Sequence, residues 1–103
     1  MNIVKICACA ALMLGTAQAQ AADPTLGEAL YGDTCANCHG PTAKGMASYP
    51  RLVGHPSEYL ADRLNTYRAG EKVGPNSMLM IPMAADLSDD DIANLVAFLT
   101  KDS

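Results

Sequence analysis

The chain has 103 residues, enough for one small domain. Eleven acidic residues face seven basic ones, for a net charge of −4. That balance excludes the broad basic face that nucleic acid requires, and it favours docking partners with a basic patch.

The first segment is expected to leave the mature protein. Lys5 supplies a positive start, Ile6 to Gly15 is unbroken apolar sequence, and Ala17-Gln18-Ala19 and Ala19-Gln20-Ala21 both offer an Ala-x-Ala cleavage site. This pattern predicts a secretory signal peptide over residues 1–21, cut after Ala19 or Ala21, and hence a periplasmic protein. The run is well short of the roughly 20 apolar residues that span a bilayer, so no stable membrane insertion is expected. Cys9 has too little apolar sequence before it to be a lipoprotein cysteine. The mature domain, residues 22–103, keeps Cys35 and Cys38 of the four cysteines. Losing Lys5 leaves six basic residues against eleven acidic ones, a net charge of −5. A domain this small seldom builds a self-sufficient apolar core and usually needs a disulfide, a metal or a large cofactor.

Asp23-Pro24 reads as an N-cap with proline at the first helical position, opening a short helix over 24–33. Gly27 and Tyr31 share one face of it. Glycine inside a helix costs up to about 1 kcal/mol relative to alanine, so close approach of another helix is its expected purpose. The helix leads into Cys35-Ala36-Asn37-Cys38-His39, a C-x-x-C-H motif read as a c-type haem attachment site. Thiols three positions apart on a helical turn can each form a thioether with one haem vinyl group. The next residue, His39, then lies under the ring with its imidazole free for the iron.

Other readings of the motif fit less well. A Cys35–Cys38 disulfide closes a very small loop and stabilises little. A thioredoxin-like pair wants a βαβ context, and no β-branched runs flank the site. A zinc site using Cys35, Cys38 and His55 lacks compact histidine spacing, since His39 and His55 are the only histidines.

Residues 40–56 are punctuated by Gly40, Pro41, Gly45, Pro50, Gly54 and Pro56 and read as a loop that packs on the haem. Ser57 is expected to cap a second helix running to about Ala69 and ending at Gly70, with Leu60, Leu64 and Tyr67 as its buried stripe. Glu71 to Leu87 reads as a loop carrying Gly74, Pro75, Pro82 and three methionines. Ser88 and Asp91 form a capping signature for the last helix, whose first turn holds three aspartates. Ile92, Leu95, Val96 and Leu99 line its inner face, with Phe98 beside them. The fold class expected is all-α: short helices and long loops wrapped round one covalent haem c.

A haem iron held by one histidine has a sixth position, and Met46, Met78, Met80, Met83 and His55 are the candidates to fill it. Methionine would raise the potential and close the site, which suits electron transfer. A ligand on the far face of the ring favours the 71–87 segment, whose Met78, Met80 and Met83 stay open on this ground alone.

The motif, with Tyr49-Pro50-Arg51-Leu52, Gly54, Tyr59-Leu60, Tyr67-Arg68-Ala69-Gly70, Met80 and Leu87-Ser88-Asp89-x-Asp91, resembles bacterial class I c-type cytochromes. The nearest pattern is a single cytochrome c4 domain or a small mono-haem cytochrome c553-type carrier. The resemblance implies the class I cytochrome c fold. It also implies Met80 as the axial thioether, eight positions before Ser88, a Pro50 carbonyl on the other ring nitrogen of His39, and Arg51 facing a haem propionate. Gly27, Tyr31 and Phe98 match its contact between first and last helices. His55 departs from the pattern, which often has Gln there.

The expected function is periplasmic electron transfer by one His/Met-ligated haem, shuttling single electrons between redox proteins such as a dehydrogenase or a terminal oxidase. A cytochrome c subunit of a periplasmic dehydrogenase complex is the alternative. A peroxidase or gas sensor would need a labile sixth ligand, against which the methionine-bearing segment speaks. No spare histidine–carboxylate set accompanies the motif, so no enzymatic activity is expected.

Overall fold

Asp23 and Pro24 start the first helix as their chemistry dictates. In the computed structural model, which describes residues 21–102, the Asp23 carboxylate accepts the Thr25 amide at 2.8 Å. The leader expected over residues 1–21 falls, but for Ala21, outside the described residues. Helix α1 spans Pro24–Leu30, widens into a single π-helical stretch at Tyr31–Cys35, and tightens again as α2, Ala36–His39. The helical path therefore continues through the C-x-x-C-H motif, beyond the expected end near Asp33. Gly40, at φ +88°, ends it. A π-turn slips the helical phase. Here it lets Gly27 and Tyr31 serve the core while Cys35, Cys38 and His39 line a cleft.

Last in the chain, α5 (Asp89–Thr100) starts at Ser88 with a complete capping box, both bonds with Asp91 at 3.0 Å. Its inner face buries Ile92, Leu95, Val96 and Leu99, as its period predicts. It lies across α1. A Cβ added to Gly27 would sit 1.9 Å from the Asn94 carbonyl oxygen, so the two backbones touch there. Tyr31 is buried beside the crossing, with its ring 5.4 Å from that of Phe98 and its hydroxyl donating to the Gly40 carbonyl. Burial pushes the Tyr31 phenol above its ordinary value, which keeps that donor protonated. Gly27→Ala should cost about 3 kcal/mol, because a rigid backbone must give way. For so small a domain that is a fall in Tm on the order of 10–20 °C. Thermal melts of the holoprotein followed by circular dichroism check this; a Tm within a few degrees of wild type would contradict the contact.

Helix α3 (Ser57–Arg68) is capped differently from expectation. The cap residue is Pro56, in extended conformation, and Ser57 already lies in the first turn, with no capping bond from a side chain at this end. A proline fixed at φ −60° ends the preceding loop by itself. The other end is as expected. Gly70, at φ +79°, donates to Tyr67 at 2.9 Å and Glu71 donates to Thr66 at 3.1 Å, the paired bonds of a glycine-terminated helix.

The segment read as a loop over Glu71–Leu87 contains a helix. Ser77–Ala84 forms α4, with Pro82 inside it. Its sequence is apolar on all sides, so no 3.6-residue period marks it, and proline argues against a helix locally. Tertiary placement decides otherwise. The buried Ser77 hydroxyl accepts the Val73 and Gly74 amides, each at 2.8 Å, which shapes the turn entering the helix. Helix α4 then packs on α3. Arg68 closes the base of this excursion, donating to the Leu87 carbonyl at 3.2 Å and pairing with Asp89 at 2.7 Å.

Among the described residues there is no strand, only an isolated bridge between Met46 and Tyr49. No helix among them is long and apolar enough to cross a membrane. The fold class is all-α, as expected.

Candidate functional site

Helix α2, the loop through Ser48–His55, α3, the 73–76 turn, α4 and the inner face of α5 enclose a cleft of about 460 Å³. Leu52, Leu60, Leu64, Leu79, Leu95 and Leu99 give it an apolar lining. Such a cavity, mainly apolar in its exposed lining, suits a large apolar cofactor.

Cys35, Cys38 and His39 all line it, presented by the end of the first helical path. His39 is buried, and its Nδ1 lies 2.8 Å from the Pro50 carbonyl oxygen. A carbonyl can only accept, so Nδ1 carries the proton and Nε2 keeps its lone pair for a metal. The loop is built to deliver that carbonyl. Gly45, at φ +88°, donates to the His39 carbonyl at 2.9 Å, and a Cβ on it would strike the Tyr49 carbonyl oxygen at 2.7 Å. Met46 and Tyr49 then exchange backbone bonds at 3.2 and 2.9 Å, which turns the chain back towards His39 just before Pro50. Arg51 also lines the cleft, with its Nε donating to Val53 at 3.1 Å.

The sixth-ligand candidates separate. Met80 and Met83 line the cleft from α4, whereas Met78 is 66% exposed and Met46 is 47% exposed, and neither lines it. His55 lines it too, but its Nε2 donates to the Arg51 carbonyl at 2.9 Å.

A redox dithiol reading finds no support in the thiols. Burial pushes the Cys35 thiol up, the reverse of the depressed value an attacking thiolate needs. Neither cysteine is in a disulfide. No group of three or more His, Cys, Asp or Glu side chains that could hold a metal ion occurs among the described residues.

The cleft's charge runs against the net charge. Arg51 and Arg63 are the charged side chains in its lining, and no carboxylate joins them. Sequence reasoning did not single out Arg63, nor the Ser77 turn. For Arg63 a signal existed: His55, Tyr59 and Arg63 recur every four residues, the spacing of one helix face.

The cytochrome c family model matches residues 24–102, the whole of this arrangement. The chain belongs to the cytochrome c family. It is 44% identical over 82 residues to cytochrome c-554(548) of Halomonas halodenitrificans, covering 79% of this chain and 98% of that one. It is 39% identical over 100 residues to the thiosulfate dehydrogenase electron acceptor of Stutzerimonas stutzeri, covering 87% of this chain and 43% of that one. Reduced cytochrome c4 from Pseudomonas stutzeri superposes with a TM-score of 0.64 at 32% identity, over 80% of this chain and 50% of that chain. The chain thus spans nearly all of the first relative and about half of the other two. As a cytochrome c, it has the class I cytochrome c fold, carries covalent haem c with its iron, and transfers electrons.

Proposed function

We propose that Cys35 and Cys38 hold the haem through two thioethers, that His39 binds the iron through Nε2, and that Met80 closes the sixth position. The observation that carries this reading is the His39–Pro50 bond at 2.8 Å in a cleft also lined by both thiols and Met80. The bond fixes the tautomer and holds the ring against rotation, which makes the imidazole a stronger and better-placed ligand. Met80 brings a soft thioether on a helix whose entry turn is held by Ser77 and whose exit segment is tied at Leu87 by Arg68. Bound there, the haem supplies a one-electron iron couple. The cleft's leucine side chains would exclude water from it, and His39, held by the Pro50 carbonyl, with Met80 on α4 would keep the rearrangement between oxidation states small.

The chain acts as a periplasmic carrier and not as an enzyme on this reading. A closed sixth site leaves no position for a substrate, and the cleft lining holds no carboxylate to serve as acid or base. A dehydrogenase is the favoured electron donor, supported by the relative named as a thiosulfate dehydrogenase electron acceptor. Optical redox titration of the holoprotein tests the carrier reading. One reversible one-electron transition is expected, with no peroxide turnover; rapid peroxide consumption would overturn it. Purifying the native protein separates a free carrier from a complex subunit by whether a second chain accompanies it.

A further inference from the structure

Arg63 has no role in anything derived so far. It lines the cleft with Arg51, and no carboxylate lies within ion-pairing distance of it among the described residues. Arg68, on the same helix, is by contrast paired with Asp89. An arginine that faces an apolar cleft without an anionic partner is held there by something else. The Arg63 guanidinium carbon sits 5.1 Å from the centre of the Tyr59 ring. Tyr59 is in turn stacked on His55, with centroids 4.8 Å apart and planes at 24°. His55 is anchored by its bond to the Arg51 carbonyl. Arg51, His55, Tyr59 and Arg63 are thus linked in sequence along one rim of the cleft.

Haem c bears two propionate carboxylates. A carboxylate at the edge of an apolar cleft is costly unless a cation or several donors meet it, and guanidinium meets it best, through two parallel bonds. A guanidinium already resting on an aromatic ring loses little freedom when it binds. We propose that Arg63, braced by Tyr59 and His55, is a cofactor-binding residue that pairs with one haem propionate while Arg51 serves the other, and that its charge raises the reduction potential. The inference rests on the haem occupying this cleft, and does not depend on which residue is the sixth ligand.

Redox titration of holoprotein variants at fixed ionic strength tests it. Loss of a positive charge beside the haem favours the oxidised iron. At the wild-type midpoint, Arg63→Gln should raise the ratio of oxidised to reduced haem about three- to tenfold. Arg63→Lys keeps the charge and should recover most of that shift. Tyr59→Leu should move the ratio in the same direction by less, because the guanidinium loses its platform. Lys101→Gln, which removes a charge outside the cleft lining, should leave the ratio within about twofold of wild type. Redox-difference infrared spectra should show the propionate carboxylate bands altered by Arg63→Gln and unaltered by Lys101→Gln. An unmoved ratio in Arg63→Gln, or an Arg63→Lys shift as large as that of Arg63→Gln, would overturn the proposal. An unmoved potential with slower electron uptake from a redox partner would overturn it too, and place Arg63 at a protein interface. The Cys35→Ala/Cys38→Ala double variant is stained for haem alongside, so an error in placing the haem shows there as retained haem, whereas an unmoved ratio in Arg63→Gln with haem lost from the double variant counts against Arg63 alone.

Discussion

Changing Cys35 and Cys38 together to alanine should abolish covalent haem completely. The wild-type chain should keep its haem through acid–acetone extraction and denaturing electrophoresis, and the double variant should give no haem-stained band. The expected effect on folding is equally large. The buried hydrophobic cluster consists of Tyr31, Ala43, Leu60, Ile92, Leu95, Val96 and Leu99. Leu95 and Leu99 also face the cleft, and so do Leu52 and Leu64, which are only partly buried. Without the porphyrin Leu52, Leu64 and Leu79, which line the cleft but are not buried by the protein itself, meet water, and each such leucine left exposed costs up to about 1.5–3 kcal/mol. Total stabilities are only about 5–15 kcal/mol, so a few such losses unfold the chain. Circular dichroism of the double variant should show most helix signal lost. Each single variant keeps one thioether and should still stain. Recovery of a folded, haem-free wild-type protein would contradict both the attachment and the core role of the cofactor.

Met80→Ala should have the largest effect on the iron itself. The oxidised wild type is expected to show the weak far-red absorption of a methionine–iron bond, and this variant should lose it. Its potential should fall by on the order of 0.1–0.3 V, part of the roughly 0.8 V range that axial ligands command. Added cyanide or imidazole should then bind readily, since the sixth position is open. Met83→Ala is the informative comparison, because Met83 also lines the cleft from α4. It should keep the band, with at most a small potential shift from altered packing. Met78→Ala should keep it as well, as Met78 points away from the lining and is 66% exposed. Loss of the band in Met83→Ala with survival in Met80→Ala would reassign the ligand. If wild type never shows the band, His55 becomes the candidate, and its bond to the Arg51 carbonyl must then break.

Much of this protein was legible because it is written in local chemistry. The C-x-x-C-H spacing sets two thiols three positions apart with an imidazole next to the second, a match to two vinyl groups and one iron, and it named the cofactor without a fold. The Ser88–Asp91 capping box, the apolar face of α5, the Asp23-Pro24 start and the Gly70 stop each depend on residues within a turn or two. Gly27 was readable too, since a glycine that weakens its own helix implies a neighbour, and the Asn94 carbonyl is that neighbour.

The cap of α3 and the course of the first helix were read less well. Ser57 carries the favoured cap side chain, yet Pro56 holds the position because its ring already sets the extended backbone. The π-turn at Tyr31–Cys35 shifts the helical face by a fraction of a turn, a change that leaves no periodic trace in so short a segment.

By itself, then, the sequence determined the class, the haem c cofactor, the all-α content and the two helices that cross at Gly27. Only the tertiary structure decided that Ser77–Ala84 is a helix, that Met80 and Met83 but not Met78 reach the cleft, and that arginines are the charged groups lining it in an acidic protein. The reason is the same in each case. Helix α4 is apolar all round and contains proline, so its stability comes from α3 and the cleft, not from its own residues. Likewise, net charge is a sum over the chain, whereas a cleft feels the few charges that folding brings to its wall.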